Sequence, residues 1–216
     1  MLPLRGARPR GSVALSVVDA RHALLTRLFD HAPLFPPASM ALPDAIEEDE
    51  RAQESEHAWL LGRFVVPEGT DVEGRELAVV SGRTETQGDR VFLEGVSKIR
   101  CGGAAIPSVD ELAAFIRGCR ERRVVFKATA GLHHAYPTEA GEHGFLNVLA
   151  ASVFGDEEEA LSARPGAFAL DSESFRWNGR AAGAEDLARA REKLIHSIGS
   201  CSFFEPVGEL EMLGIL

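Results

Sequence analysis

Cysteine is scarce in this chain. Its three examples, Cys101, Cys119 and Cys201, form an odd set with none of the paired spacings that hold zinc or frame a secreted disulfide scaffold. Reduced thiols in a cytoplasmic protein are the expectation. Positive charge is also in deficit: 23 Lys and Arg against 33 Asp and Glu leave a formal net charge of -10. Such a field repels phosphate backbones and anionic lipid, so neither nucleic acid nor a membrane is an expected partner. Long hydrophobic runs are missing, and no stretch approaches the ~20 apolar residues that a membrane span needs. There is no internal repeat and no low-complexity tract. What remains, 216 residues with 45% hydrophobic and 26% charged side chains, suits a globular domain that buries a core without disulfides or a structural metal.

Arg5, Arg8 and Arg10 precede the apolar stretch from Val13 to Val18, but Asp19, Arg21 and His22 interrupt it too early for a secretory signal. Residues 1–18 are therefore expected as a flexible arm and 19–216 as one α/β domain. Apolar spacing predicts a helix over Ala20 to Phe29 with Asp19 as N-cap. A proline-rich docked loop follows from Asp30 to Met40, then a helix from Pro43 to about Glu56. Strands are expected at 59–67, at 77–82 and from Val91, and their short connections suggest hairpins, because parallel neighbours need longer crossovers. Ser108 with Glu111 forms a capping box for a helix ending near Arg123, and Val124 to Gly131 reads as the next strand, completing a strand, helix, strand unit. Phe145 to Phe154 is apolar nearly all round and must be buried. A small surface hairpin at 168–177, a helix from Ala184, a strand from Ile195 to Ser202 and a last helix to Leu213 close the chain.

Three Gly-containing turns follow strands, at Cys101-Gly102-Gly103, at Ala130-Gly131 and at Gly199-Ser200-Cys201-Ser202. In α/β folds sites lie at the carboxyl ends of strands, so these turns should share one rim. Lys98 and Arg100 have period-two spacing and fall on one strand face, either as a clamp for a phosphate or carboxylate or as an exposed surface pair. Ser200 and Ser202 join them as substrate-contacting candidates. Lys127 lies mid-strand among apolar neighbours, where a charge is costly unless paired. Two readings stay open: an amine of depressed pKa that forms a Schiff base, or a lysine paired with an acid such as Glu94. His133, His134, Glu139, Glu142 and His143 crowd eleven positions. They are read as catalytic histidines, as ligands for a divalent metal ion through His133, His134, His143 and Glu142, or as simple loop residues. Cys201 is either a nucleophile or a packed thiol, and the sequence identifies no acid–base partner for it.

The blocks Leu34-Phe35-Pro36-Pro37-Ala38, Lys98-Ile99-Arg100-Cys101-Gly102-Gly103, Phe126-Lys127-Ala128-Thr129-Ala130-Gly131-Leu132-His133-His134 and Gly199-Ser200-Cys201-Ser202-Phe203 carry a resemblance. With the run from Trp59 to Pro67 and that from His143 to Asn147, they resemble a bacterial family of TIM-barrel-like proteins without an assigned activity. That resemblance implies a (β/α) barrel, although Pro67 to Val91 is too short for the usual βα units. The expected fold is therefore an incomplete or trimmed TIM barrel, with an edge that a second copy could cover in a homodimer. Locally, Lys98 before Gly102-Gly103 and Lys127 before Gly131 are similar to the neighbouring lysine strands of deoxyribose-phosphate aldolase and other class I aldolases. This implies Schiff-base chemistry at one lysine with the other lowering its pKa.

The expected function is binding or transformation of a small anionic or carbonyl-bearing metabolite in a Lys/Arg/His rim pocket, of lyase or aldolase type. Lys127 would be the amine or electrostatic stabiliser, with Arg100 as anion clamp and His133 or His134 for proton transfer. The rivals are a metal-dependent enzyme using the histidine cluster, and a degenerate, non-catalytic barrel acting as a binding or assembly module.

Overall fold

A computed structural model describes residues 19–103 and 106–216, so the expected arm at 1–18 lies outside the described residues. The chain opens with α1 (Ala20–Leu25), capped as expected by the Asp19 side chain accepting from Arg21 N. The helix is shorter than its apolar spacing suggested. Leu28 and Phe29 belong to the turn and to β1 (Phe29–His31), so the expected docked loop begins as a strand. Next come α2 (Leu42–Glu54), a 3-10 turn (Ala58–Leu60), β2 (Leu61–Pro67), β3 (Leu77–Ser81), β4 (Thr84–Gln87), β5 (Arg90–Leu93) and β6 (Lys98–Arg100). The capping box of Ser108 and Glu111 starts α3 (Val109–Arg122), which leads to β7 (Phe126–Thr129). Then follow α4 (Phe145–Phe154), α5 (Glu157–Leu161), β8 (Phe168–Leu170), β9 (Ser174–Trp177), β10 (Arg180–Gly183), α6 (Ala184–Lys193), β11 (Ile195–Ser200) and α7 (Phe204–Met212).

Eight strands form one sheet in the order β5-β4-β3-β2-β1-β11-β7-β6. Its pairs are parallel except where β4 runs against β3 and β5. The sheet ends, β5 and β6, are adjacent in sequence. A bridge between Glu94 and Lys98, and a 2.8 Å hydrogen bond from Gly95 N to Lys98 O, bring them together. The result is a nearly closed barrel. The middle of the chain, too short for βα units, supplies its share of wall as the meander β3-β4-β5.

The apolar core lies between this wall and the helices rather than inside the barrel. Leu24, Phe29, Ile116, Phe126, Phe145 and Ile198 belong to one buried cluster, and Ala45, Phe64 and Val66 to a smaller one beneath α2. Nine of the ten α4 residues are buried, which is why that helix is apolar nearly all round. The expected surface hairpin is corrected: β8, β9 and β10 form a three-stranded antiparallel sheet whose Phe175 and Trp177 turn inward against Phe154, with Phe168 packed on both of them.

The turns after β6 and β7 meet backbone to backbone. A Cβ on Gly102 would lie 2.5 Å from Gly131 Cα, and Gly131 itself has a φ of +69°. Gly102→Ala is expected to lower unfolding free energy by about 1–3 kcal/mol, because backbone cannot yield as a flexible side chain does. Gly208→Ala, in α7 with open space around its missing Cβ, is expected to raise stability by about 0.5–1 kcal/mol. Urea unfolding of the two variants checks the contrast.

Candidate functional site

Side chains alternate across a strand, and each barrel strand therefore sends every second residue inward. Lys98 and Lys127 are direct partners in the register of β6 and β7, so both amines point into the barrel side by side. Two carboxylates meet them. Asp30 comes from β1 and Glu85 from β4, and all four groups are buried. Lys127 Nζ donates to Asp30 Oδ2 at 2.6 Å and also pairs with Glu85 Oε1, while Lys98 Nζ lies 3.9 Å from Glu85 Oε2. Ser197 Oγ donates to Asp30 Oδ2 at 2.6 Å, and Gln87 Nε2 bonds both acids at 2.8 and 2.9 Å. Asp30 Oδ1 accepts from Arg63 N at 2.7 Å. That contact depends on Gly62, where a Cβ would stand 2.2 Å from the same oxygen.

This network separates the two lysines. Burial works against the charge on Lys127, yet Asp30 and Glu85 hold its ammonium above the ordinary lysine value. Burial lowers Lys98, with the Lys127 and Arg100 charges pushing the same way against Glu85 and Glu94. One amine is held towards its charged form; its neighbour gives up its proton more readily. The expected pairing of Lys127 with Glu94 is replaced by pairing with Asp30 and Glu85.

Above the network, a cavity of about 90 Å³ opens at the carboxyl ends of the strands, lined by Lys98, Arg100, Lys127, Thr129, His133 and Cys201 together with the Phe35-Pro36-Pro37 segment. The volume suits a metabolite of a few carbons rather than a nucleotide. Arg100 stands exposed at the mouth, with no carboxylate in salt-bridge range among the described residues. A larger cavity of about 800 Å³ lies at the amino-terminal ends of β7 and β11, lined by Arg90, Arg120, Arg123, Arg180 and Arg189. It holds no buried charged cluster, and Arg120, Arg180 and Arg189 are paired with Glu157, Asp156 and Asp186.

The other expected site residues separate. His133 reaches the cavity wall, where its Nδ1 lies 2.8 Å from Glu205 and 3.2 Å from Ser200 Oγ. His134 turns to Glu209 at 3.0 Å, and His143 Nε2 bonds Pro107 O at 2.7 Å. Glu142 comes no nearer than 3.8 Å to His134. The four do not converge on an ion. Among the described residues, three ligating groups come within 4.8 Å of one another at Glu56, His57 and Glu211, outside this cavity. Ser200 and Ser202 hydrogen-bond within the turn: Ser200 Oγ accepts from Ser202 N at 3.4 Å, and Ser202 Oγ accepts from Glu205 N at 3.4 Å. The sequence reading missed Asp30, Glu85 and Gln87. The period-two spacing of Glu85 and Gln87 in Thr-Glu-Thr-Gln was the available signal.

Stability should fall in two separate pH windows as acid is added. Burial, with Arg90, Arg191 and Lys127, lowers His196 to about 4 against the pull of Asp30. The unfolded chain therefore binds more protons, and stability falls as pH drops from ~6.5 towards 4. Burial would raise Asp30, but Lys127, the Arg63 N–H and Ser197 hold it at about 2, so its contribution is lost below pH ~4. Unfolding free energy measured against pH should show both slopes, with the upper one absent in His196→Gln. Comparison with protein-family models, with curated proteins and with solved structures found no match to this chain, so its site is read from its own geometry.

Proposed function

We propose that the barrel mouth binds a small carbonyl-bearing anion and that Lys98 attacks it to form a Schiff base, in a lyase reaction of class I aldolase type on a TIM-barrel-like scaffold. The single observation that carries this reading is the buried pair of in-register lysines with unequal partners. A nucleophilic amine must be neutral, and burial beside the Lys127 charge shifts Lys98 towards that form. Lys127 takes the part of electrostatic stabiliser rather than of attacking amine. With both amines charged, the two lysines balance Asp30 and Glu85. Deprotonation of Lys98 leaves one negative charge in excess, and the iminium formed after loss of water from the carbinolamine restores the balance. Arg100 at the mouth is the anion clamp, and His133 on the wall moves protons to and from the bound molecule.

A second reading, a barrel that acts as an assembly module with a second copy of itself, is favoured by one observation. The meander is joined by turns rather than helices, and Val91 and Leu93 in β5 and Val96 in the turn after it are 60, 40 and 47% exposed.

Borohydride reduction in the presence of pyruvate is expected to add one reduced three-carbon unit to Lys98. Lys98→Met should abolish the adduct, and Lys127→Met should slow its formation at least ~100-fold through loss of the neighbouring charge. An adduct on Lys127, or none with pyruvate or glyceraldehyde phosphate, would count against the amine reading. For the assembly reading, native mass spectrometry should show a dimer that Val91→Lys converts to monomer; a monomeric parent chain removes it.

A further inference from the structure

One group on the cavity wall is left unused by amine chemistry. Cys201 lies at the end of β11, half-buried, and lines the cavity that holds Lys98 and Arg100. Cys101 and Cys119, by contrast, are packed in the core. Cys201 Sγ lies 3.6 Å from His133 Nε2, an ordinary separation for a sulfur donor to nitrogen. On the other side of the ring, Nδ1 is 2.8 Å from Glu205 Oε2 on α7 and 3.2 Å from Ser200 Oγ. A carboxylate at Nδ1 fixes the tautomer: the ring proton sits on Nδ1, and the Nε2 lone pair faces the thiol. Nucleophile, base and orienting acid thus stand in sequence, drawn from three separate elements, with the nucleophile opening on a cavity.

We infer that Cys201, His133 and Glu205 form a nucleophilic triad that takes a short acyl group from an ester or thioester seated in the barrel mouth. This goes beyond the amine reading and does not depend on it. In the first step His133 Nε2 takes the Sγ proton as sulfur attacks the carbonyl carbon. The tetrahedral adduct then breaks its bond to the leaving oxygen or sulfur, which receives the proton from Nε2. The product is an acyl thioester on Cys201. Water, deprotonated by the same nitrogen, releases the carboxylic acid and returns the thiol.

The chemistry of the wall defines the acyl class. Phe35, Pro36, Pro37 and Val65 offer an apolar side, Arg100 offers a cation at the mouth, and about 90 Å³ admits only a few carbons. A short acyl chain ending in a negative group fits. Burial raises the Cys201 thiol, with the Ala38 backbone N–H pulling the other way, so the resting group is a thiol that needs a base at the moment of attack. Glu205 is a positioning residue, 61% exposed, that acts through the imidazole.

The test uses p-nitrophenyl acetate as acyl donor with the whole chain. Intact mass should show one acetyl group, peptide mapping should place it on Cys201, and nitrophenolate should appear as a burst. His133→Ala and His133→Gln should each slow acylation at least ~100-fold. Cys119→Ser should leave the rate unchanged. Glu205→Gln should slow acylation without moving the thermal midpoint, and Glu205→Asp should recover part of the rate. Equal rates in the parent chain and in folded His133→Gln, or acetyl found on a lysine instead of Cys201, would overturn the triad. Borohydride trapping at Lys98 reports on the amine reading alone, so the failure of either is seen separately.

Discussion

A fully buried lysine needs a counter-charge in place, and much of this barrel is arranged around the one that Lys127 imposes. An unpaired ammonium in that interior would be neutralised or would destabilise the fold by several kcal/mol, whereas pairing with Asp30 and Glu85 keeps it charged. The two acids come from strands on different sides of the barrel, so the wall must bend until β1 and β4 face β7. Gly62 is there because any larger residue would displace Asp30, and Ser197, Gln87 and the Arg63 N–H occupy the remaining carboxylate lone pairs. The interior therefore holds this polar network beside a few apolar side chains such as Val65, Val80 and Phe92, and most of the hydrophobic driving force acts on the outside of the sheet, where α1, α3, α4 and α6 cover it.

From that constraint follows the asymmetry of the mouth. Because Lys127 is engaged by two carboxylates, its charged form is favoured and its nitrogen is occupied; because Lys98 lies 3.9 Å from the other oxygen of Glu85, its nitrogen remains available. The same strand ends carry Arg100 outward and Cys201 to the rim, and α7 then sets Glu205 and Glu209 one turn apart to hold His133 and His134 in different directions. Two adjacent histidines in sequence thus end in unrelated surroundings: one on the cavity wall, one on the outer surface.

What the sequence revealed and what it hid have physical reasons. The capping box at Ser108, the nearly all-apolar α4 and the side-by-side lysines were legible because each depends on local spacing or on a single βα step. β1 was hidden because three residues followed by prolines carry no periodicity, and β4 because Thr-Glu-Thr-Gln looks like a solvated turn when its inward face is polar. Those two strands supply both acids, so the sequence showed the amines and missed their partners. Cys201 and His133 are 68 positions apart and meet only because β11 pairs with β7, a neighbour relation that no local signal encodes.

The account rests on two adjacent lysines with different protonation behaviour, and the most direct measurement is an NMR titration of individual lysine side-chain nitrogens, assigned with Lys98→Met and Lys127→Met. It predicts that Lys98 loses its proton below the ordinary lysine value and Lys127 above it. Loss of the Lys127 proton before that of Lys98 would contradict it.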